Sequence, residues 1–143
     1  MYSLVYKSVA TPLFNFRDID VLLERARAYN SNHGITGCLL YHNGEFIQYL
    51  EGPQLQVLNL YDKITKDPRH TKIQLLSYGA TEHREFDQWD MAFENVYGEN
   101  AQLYYVRLAL QNFYLNPKPN YDTTIVSRQF WKNVGSLLNS SVA

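Results

Sequence analysis

The 143-residue chain has the length of a single domain, and with 45% apolar and 19% charged residues it is too apolar to be disordered. A formal net charge of −1 excludes the broad basic field that attaches proteins to nucleic acid regardless of sequence. The single Cys38 excludes an internal disulfide framework and a cysteine-rich zinc site. With no signal-type start and no run of roughly 20 apolar residues, a cytoplasmic protein without membrane attachment is expected.

In chain order, Tyr2 to Val9 is rich in β-formers and ends at Thr11-Pro12, which predicts a first strand and a turn. Asp18 caps a predicted helix whose apolar positions Ile19, Leu22, Leu23, Ala26 and Tyr29 recur at helical spacing, ending near Asn32-His33-Gly34. Ile35 to Tyr41 and Glu45 to Leu50 read as two strands joined through Asn43-Gly44, a dipeptide that tolerates the positive φ of a tight hairpin. Glu51-Gly52-Pro53 ends the second of them. Val57, Leu60, Tyr61 and Ile64 then form another helical stripe, stopped around Asp67-Pro68. Ile73 to Tyr78 predicts a fourth strand and Trp89 to Val96 a fifth.

The order strand, helix, strand, strand, helix, strand, strand predicts an α+β fold: a ferredoxin-like βαββαββ mixed sheet with both helices on one face. Beyond Gly98, Leu103, Val106, Leu110 and Tyr114 predict one helix, and residues 116–120 a loop. Phe130, Trp131, Val134, Leu137 and Leu138 predict a second helix over Ser127 to Leu138. These two C-terminal helices are expected to cover the other face of the sheet. The division is therefore a first domain over 1–97 and a helical extension over 98–143, with Ser140 to Ala143 frayed.

No Gly-rich phosphate loop, paired-histidine metal motif or Gly-x-Ser-x-Gly elbow is present, and His33, His42, His70 and His83 are scattered. Aromatics at 15%, with twelve tyrosines, point to buried hydrogen bonds, an aromatic binding surface or plain core filling. The residues alone reach a small domain of helices and strands with an aromatic interior.

Five segments, in order, carry a resemblance. They are Tyr6-Lys7-Ser8-Val9-Ala10, Asn30 ahead of Gly34-Ile35-Thr36-Gly37, Phe46-Ile47-Gln48-Tyr49-Leu50-Glu51-Gly52, Asp67-Pro68-Arg69-His70, and Arg84-Glu85-Phe86-Asp87-Gln88-Trp89-Asp90-Met91. Together, from about Leu4 to Phe93, the chain resembles BLUF domains, small photoreceptor modules that sense blue light with a non-covalent flavin. The resemblance implies that Tyr6 and Gln48 are the photoactive pair, with Ser8, Trp89 and Met91 beside them. It implies flavin contacts from Asn30, Gln48, Arg69, His70, Tyr29, Ile64 and Asp67. FAD is the implied cofactor, FMN or riboflavin being alternatives that the sequence does not distinguish.

A primary amide both donates and accepts, so Gln48 can take the Tyr6 hydroxyl proton while donating to a ring nitrogen, and Asn30 can match a carbonyl and an adjacent N–H. Tyr29 stands where many relatives carry a small polar residue or histidine, so a stacking or edge contact is expected in place of one to the ring's second carbonyl. Ile19, Leu22, Leu23, Ala26, Val57, Leu60 and Ile64 are expected to divide between core and ring walls. The implied output is a changed interaction with a protein partner in a homo-oligomer, without catalysis, because the chain leaves no length for a cyclase.

Blander readings stand beside these: a buried Tyr–Gln bond as architecture, Asn30 as a helix C-cap, Trp89 and Met91 as a strand's core face. A ferredoxin-like enzyme using Arg69, Asn30 and His70 on an anionic substrate is the alternative function. An RNA-binding or interaction module is a third, disfavoured by the lack of an RNP-like motif and of basic excess.

Overall fold

The computed structural model describes residues 1–15, 19–42, 44–86, 92–95 and 125–139. Along the chain run β1 (Tyr2–Ala10), α1 (Ile19–Asn32), β2 (Thr36–His42), β3 (Glu45–Gly52), α2 (Gln54–Thr65), β4 (His70–Ala80), β5 (Ala92–Asn95) and α3 (Ile125–Asn139). The strands form one sheet in the order β4-β1-β3-β2-β5. Its first four members pair antiparallel and β5 runs parallel to β2. This is the expected ferredoxin-like mixed sheet.

Strand alternation sorts the side chains into two cores. Leu4, Tyr6 and Leu50 face the first two helices, where they pack with Ile35, Val57, Leu60 and Ile64. Val5, Cys38, Leu40, Ile47 and Tyr49 face the opposite side, where they meet Phe86 and the α3 residues Val126, Phe130, Trp131 and Val134. Phe130, Trp131 and Val134 of the α3 stripe are thus buried against the bare face of the sheet. Each large apolar side chain so covered contributes about 1.5–3 kcal/mol.

Several boundaries differ from the sequence reading, the start of β4 by the most. β4 begins at His70 rather than Ile73, because its first residues pair with Val9 and Ala10 across a bulged register that propensity does not encode. β5 is described only over Ala92–Asn95. The predicted helix through Leu103 and Tyr114, the Asp18 cap, Trp89, Met91 and the 140–143 tail lie outside the described residues. No described helix is long and apolar enough to cross a membrane.

Candidate functional site

A cavity of about 470 Å³ lies between the sheet and the first two helices, within the 300–1,000 Å³ range typical of small-molecule sites. The floor comes from the sheet. Tyr6 of β1 and Gln48 of β3 are directly opposed in the β1/β3 register, so both side chains emerge on the helix face. There the Tyr6 hydroxyl donates to Gln48 Oε1, a bond between residues 42 apart in sequence. Tyr6 is 3% and Gln48 8% exposed. Burial, followed by the charges of Tyr61 and Asp67, pushes the Tyr6 phenol up from its ordinary value, so it holds its proton for donation.

Helix α1 supplies the facing wall. Its final turn is capped by the Asn30 backbone carbonyl, which accepts from the His33 and Ile35 N–H groups at 3.1 and 2.9 Å as Gly34 takes φ +69°. The cap is therefore a main-chain feature, and the Asn30 side chain, with the residue 2% exposed, lines the cavity. Tyr29 stacks on His33 with ring centroids 4.0 Å apart and receives a bond from Lys63 Nζ at 3.2 Å. That contact joins α1 to α2 beside the cavity. Leu23, Ala26, Leu60 and Ile64 also line it, whereas Val57 belongs to the core beneath.

The turn after α2 and the start of β4 close one end. The Arg69 Nε–H lies 2.9 and 3.0 Å from the two Asp67 oxygens and Nη2 donates to the same carboxylate. Those bonds hold the Asp67 carboxyl below the usual carboxylate range. His70 bridges two elements: Nε2–H donates to the Ile64 carbonyl at 2.6 Å, and Nδ1 is hydrogen-bonded with the Ser8 hydroxyl at 2.8 Å. A carbonyl can only accept, so Nε2 carries a proton. Ser8 thus supports His70 and is not itself a wall residue.

The structure brings Tyr6, Tyr29, Asn30, Gln48, Ile64, Asp67, Arg69 and His70 to one cavity. Trp89 and Met91 are outside the described residues. Sequence reasoning missed Phe14, Arg25, Leu39, Phe46 and Lys63 as wall residues. Phe46 had a usable signal, two positions before Gln48 on the same strand. Arg25 precedes Tyr29 by one helical turn and Lys63 adjoins Ile64, but neither charge was singled out from the sequence. Among the described residues no group of three or more His, Cys, Asp or Glu could hold a metal ion.

The donor set fits a flat heteroaromatic ring: two buried carboxamides able to pair with its polar edge, a phenol behind one of them, and aliphatic walls from both helices. Fold and cavity together define a ferredoxin-like domain with a pocket between its sheet and first two helices that such a ring fits. The family model described as sensors of blue-light using FAD matches residues 1–92, and the chain belongs to this BLUF family. It is 38% identical over 90 residues to the photoactivated adenylate cyclase subunit beta of Euglena longa, covering 62% of this chain and 10% of that protein. It is 33% identical over 89 residues to the blue light- and temperature-regulated antirepressor BluF of Escherichia coli, covering 62% and 22%. The dark-state structure of BlrB, a BLUF protein, superposes with a TM-score of 0.66 at 27% identity, over 92% of this chain and 96% of that one. The chain thus spans only a tenth to about a fifth of the two curated relatives.

Proposed function

We propose that this chain is a blue-light photoreceptor in which Tyr6 and Gln48 are the photoactive pair and Asn30 holds the flavin edge. The observation that carries the reading is the Tyr6 to Gln48 Oε1 hydrogen bond at the cavity wall. When bound, the flavin supplies blue-light absorption and an excited state that oxidises a neighbouring phenol. Tyr6 would give an electron to that excited state and its hydroxyl proton to Gln48 Oε1 while the amide passes one of its N–H protons on to the ring. An electron and a proton return to Tyr6 as the charge pair collapses. The amide then rotates or tautomerises, exchanging which of its atoms donates. Because a buried donor or acceptor left unmade costs about 1–3 kcal/mol, the new pattern biases the strands that carry it. Ser8 keeps His70 in place, and Ile64 and Tyr29 wall the ring.

FAD is the proposed cofactor. Arg25 and Lys63 line the same cavity, while the Arg69 charge is matched by Asp67. Two further cations near the helices favour a phosphate-bearing tail over riboflavin. Residues 1–97 form the sensor and 98–143 the output extension, whose last helix already shares a core with the sheet. The extension acts on a protein partner within a homo-oligomer and performs no catalysis itself; the similarity to an antirepressor and to a cyclase subunit supports signalling to a protein. Cys38 is buried and in no disulfide, which fits a reducing cytoplasm.

The test is the visible spectrum of the purified protein before and after blue light. A yellow sample with a reversible red shift is expected. A colourless protein that cannot be reconstituted with added flavin refutes the reading.

A further inference from the structure

Glu51 is a carboxylate at 0% exposure, three residues beyond Gln48 on β3 and on the opposite face of the sheet. Among the described residues it has no ion-pair partner. Its charge is held by three donors: the Thr36 hydroxyl at 2.7 Å, the Glu85 N–H at 2.6 Å and the Phe86 N–H at 2.7 Å. Burial lifts its pKa above the ordinary carboxylate value, and those bonds offset only part of the rise. Arg84 fastens the same corner, donating to Thr36 Oγ1 at 2.9 Å and to the Gly34 carbonyl at 2.8 Å. A Cβ on Gly52 would lie 2.6 Å from that carbonyl, so the corner closes only around glycine.

The segment held by Glu51 reaches α3 directly. The Glu85 side chain accepts the Trp131 indole N–H at 2.8 Å, and Trp131 is 3% exposed. Phe86 packs edge-on against Tyr49, the neighbour of Gln48, at 5.6 Å and against Phe130 at 5.8 Å. Two backbone N–H groups bonded to a buried carboxylate are charge-assisted contacts in a low-dielectric site. Releasing them leaves three buried polar groups unmade, so the Glu85–Phe86 segment follows β3 when the strand shifts.

We propose that Glu51, Glu85 and Trp131 form a relay carrying the light-driven change at Gln48 through the end of β3 into helix α3. The relay rests on the photoreceptor reading above. Glu51 positions the segment, Glu85 links it to the helix, and Trp131 is the point at which the helix receives the change. The route differs from one through Trp89 or Met91 because it leaves the flavin-bearing strand at Glu51.

Hydrogen exchange of the full chain with its flavin, in the dark and under blue light, tests it on the wild type, Trp131→Phe, Glu85→Ala and Glu85→Gln, with the red shift recorded on each sample. Wild-type α3 amides are expected to change exchange rate by about threefold or more on illumination. Trp131→Phe and Glu85→Ala keep the red shift and lose that difference, whereas Glu85→Gln, whose amide oxygen still accepts the indole N–H, retains it. A full α3 response in both disabling variants overturns the relay, as does a wild type with a normal red shift and a silent α3. A wild type with flavin bound but no red shift overturns the photoreceptor reading instead.

Discussion

Replacing Tyr6 by Phe and Gln48 by Leu, singly and together, measures the bond at the centre of the proposed mechanism. Both residues are nearly inaccessible, at 3% and 8% exposure, and the hydroxyl donates directly to Gln48 Oε1. Tyr6→Phe leaves that amide oxygen one donor short. Gln48→Leu leaves a buried hydroxyl without its acceptor. Each change costs about 1–3 kcal/mol, the desolvation penalty of a buried polar group whose partner has gone. The double replacement removes both halves, so its cost falls short of the sum by about 1–2 kcal/mol. Urea denaturation of the flavin-stripped proteins gives the three differences. The flavin-loaded single variants remain yellow but lose the reversible red shift, because the proton donor or its acceptor is missing. Strict additivity refutes the coupling, and a normal red shift in either single variant refutes the assigned roles.

Asn30→Ala removes the carboxamide but not the main-chain cap, so α1 persists while flavin affinity falls about threefold to tenfold per lost hydrogen bond; equilibrium dialysis reads it, and unchanged retention contradicts the contact. Lys63→Gln lowers affinity for FMN and FAD more than for riboflavin, by about threefold to tenfold at low salt, and an unaltered ratio removes the phosphate role. Gly52→Ala forces a Cβ to within 2.6 Å of the Gly34 carbonyl at a φ of +155° and destabilises by about 1–3 kcal/mol or more; a chemical melt within 0.5 kcal/mol of wild type, the ordinary surface range, speaks against it. The Tyr6 pKa is raised by burial. A folded value above the unfolded one of about 10 means its stabilisation is fully present below pH 10 and lost above it. The red shift therefore survives to at least pH 10 in the folded protein, and its disappearance with an ordinary phenol pKa contradicts the burial argument.

Much of the architecture was legible because hydrophobic period reports secondary structure locally. Val57, Leu60 and Ile64 marked α2, Asn43-Gly44 marked the hairpin, and the Phe130, Trp131, Val134 stripe marked α3 within two residues of its observed start. The candidate site was legible to a different degree. Tyr6, Asn30 and Gln48 were singled out by their place in a recurring pattern, since nothing local distinguishes a photoactive tyrosine from a core one. Arg25 and Lys63 escaped because a charge on an amphipathic helix reads as solvated, and only the neighbouring helix turns that face into a wall.

By itself the sequence determined the element types and their order, the amphipathic faces and the side chains able to donate, accept or carry charge, all properties of short stretches of chain. Tertiary structure decided which of them meet. The β1/β3 register sets Tyr6 against Gln48, the chain reversal after α2 lets His70 bridge Ser8 and Ile64, and the packing of α3 brings Trp131 to Glu85. Those meetings depend on strand pairing and helix docking between distant segments, and so no local pattern encodes them.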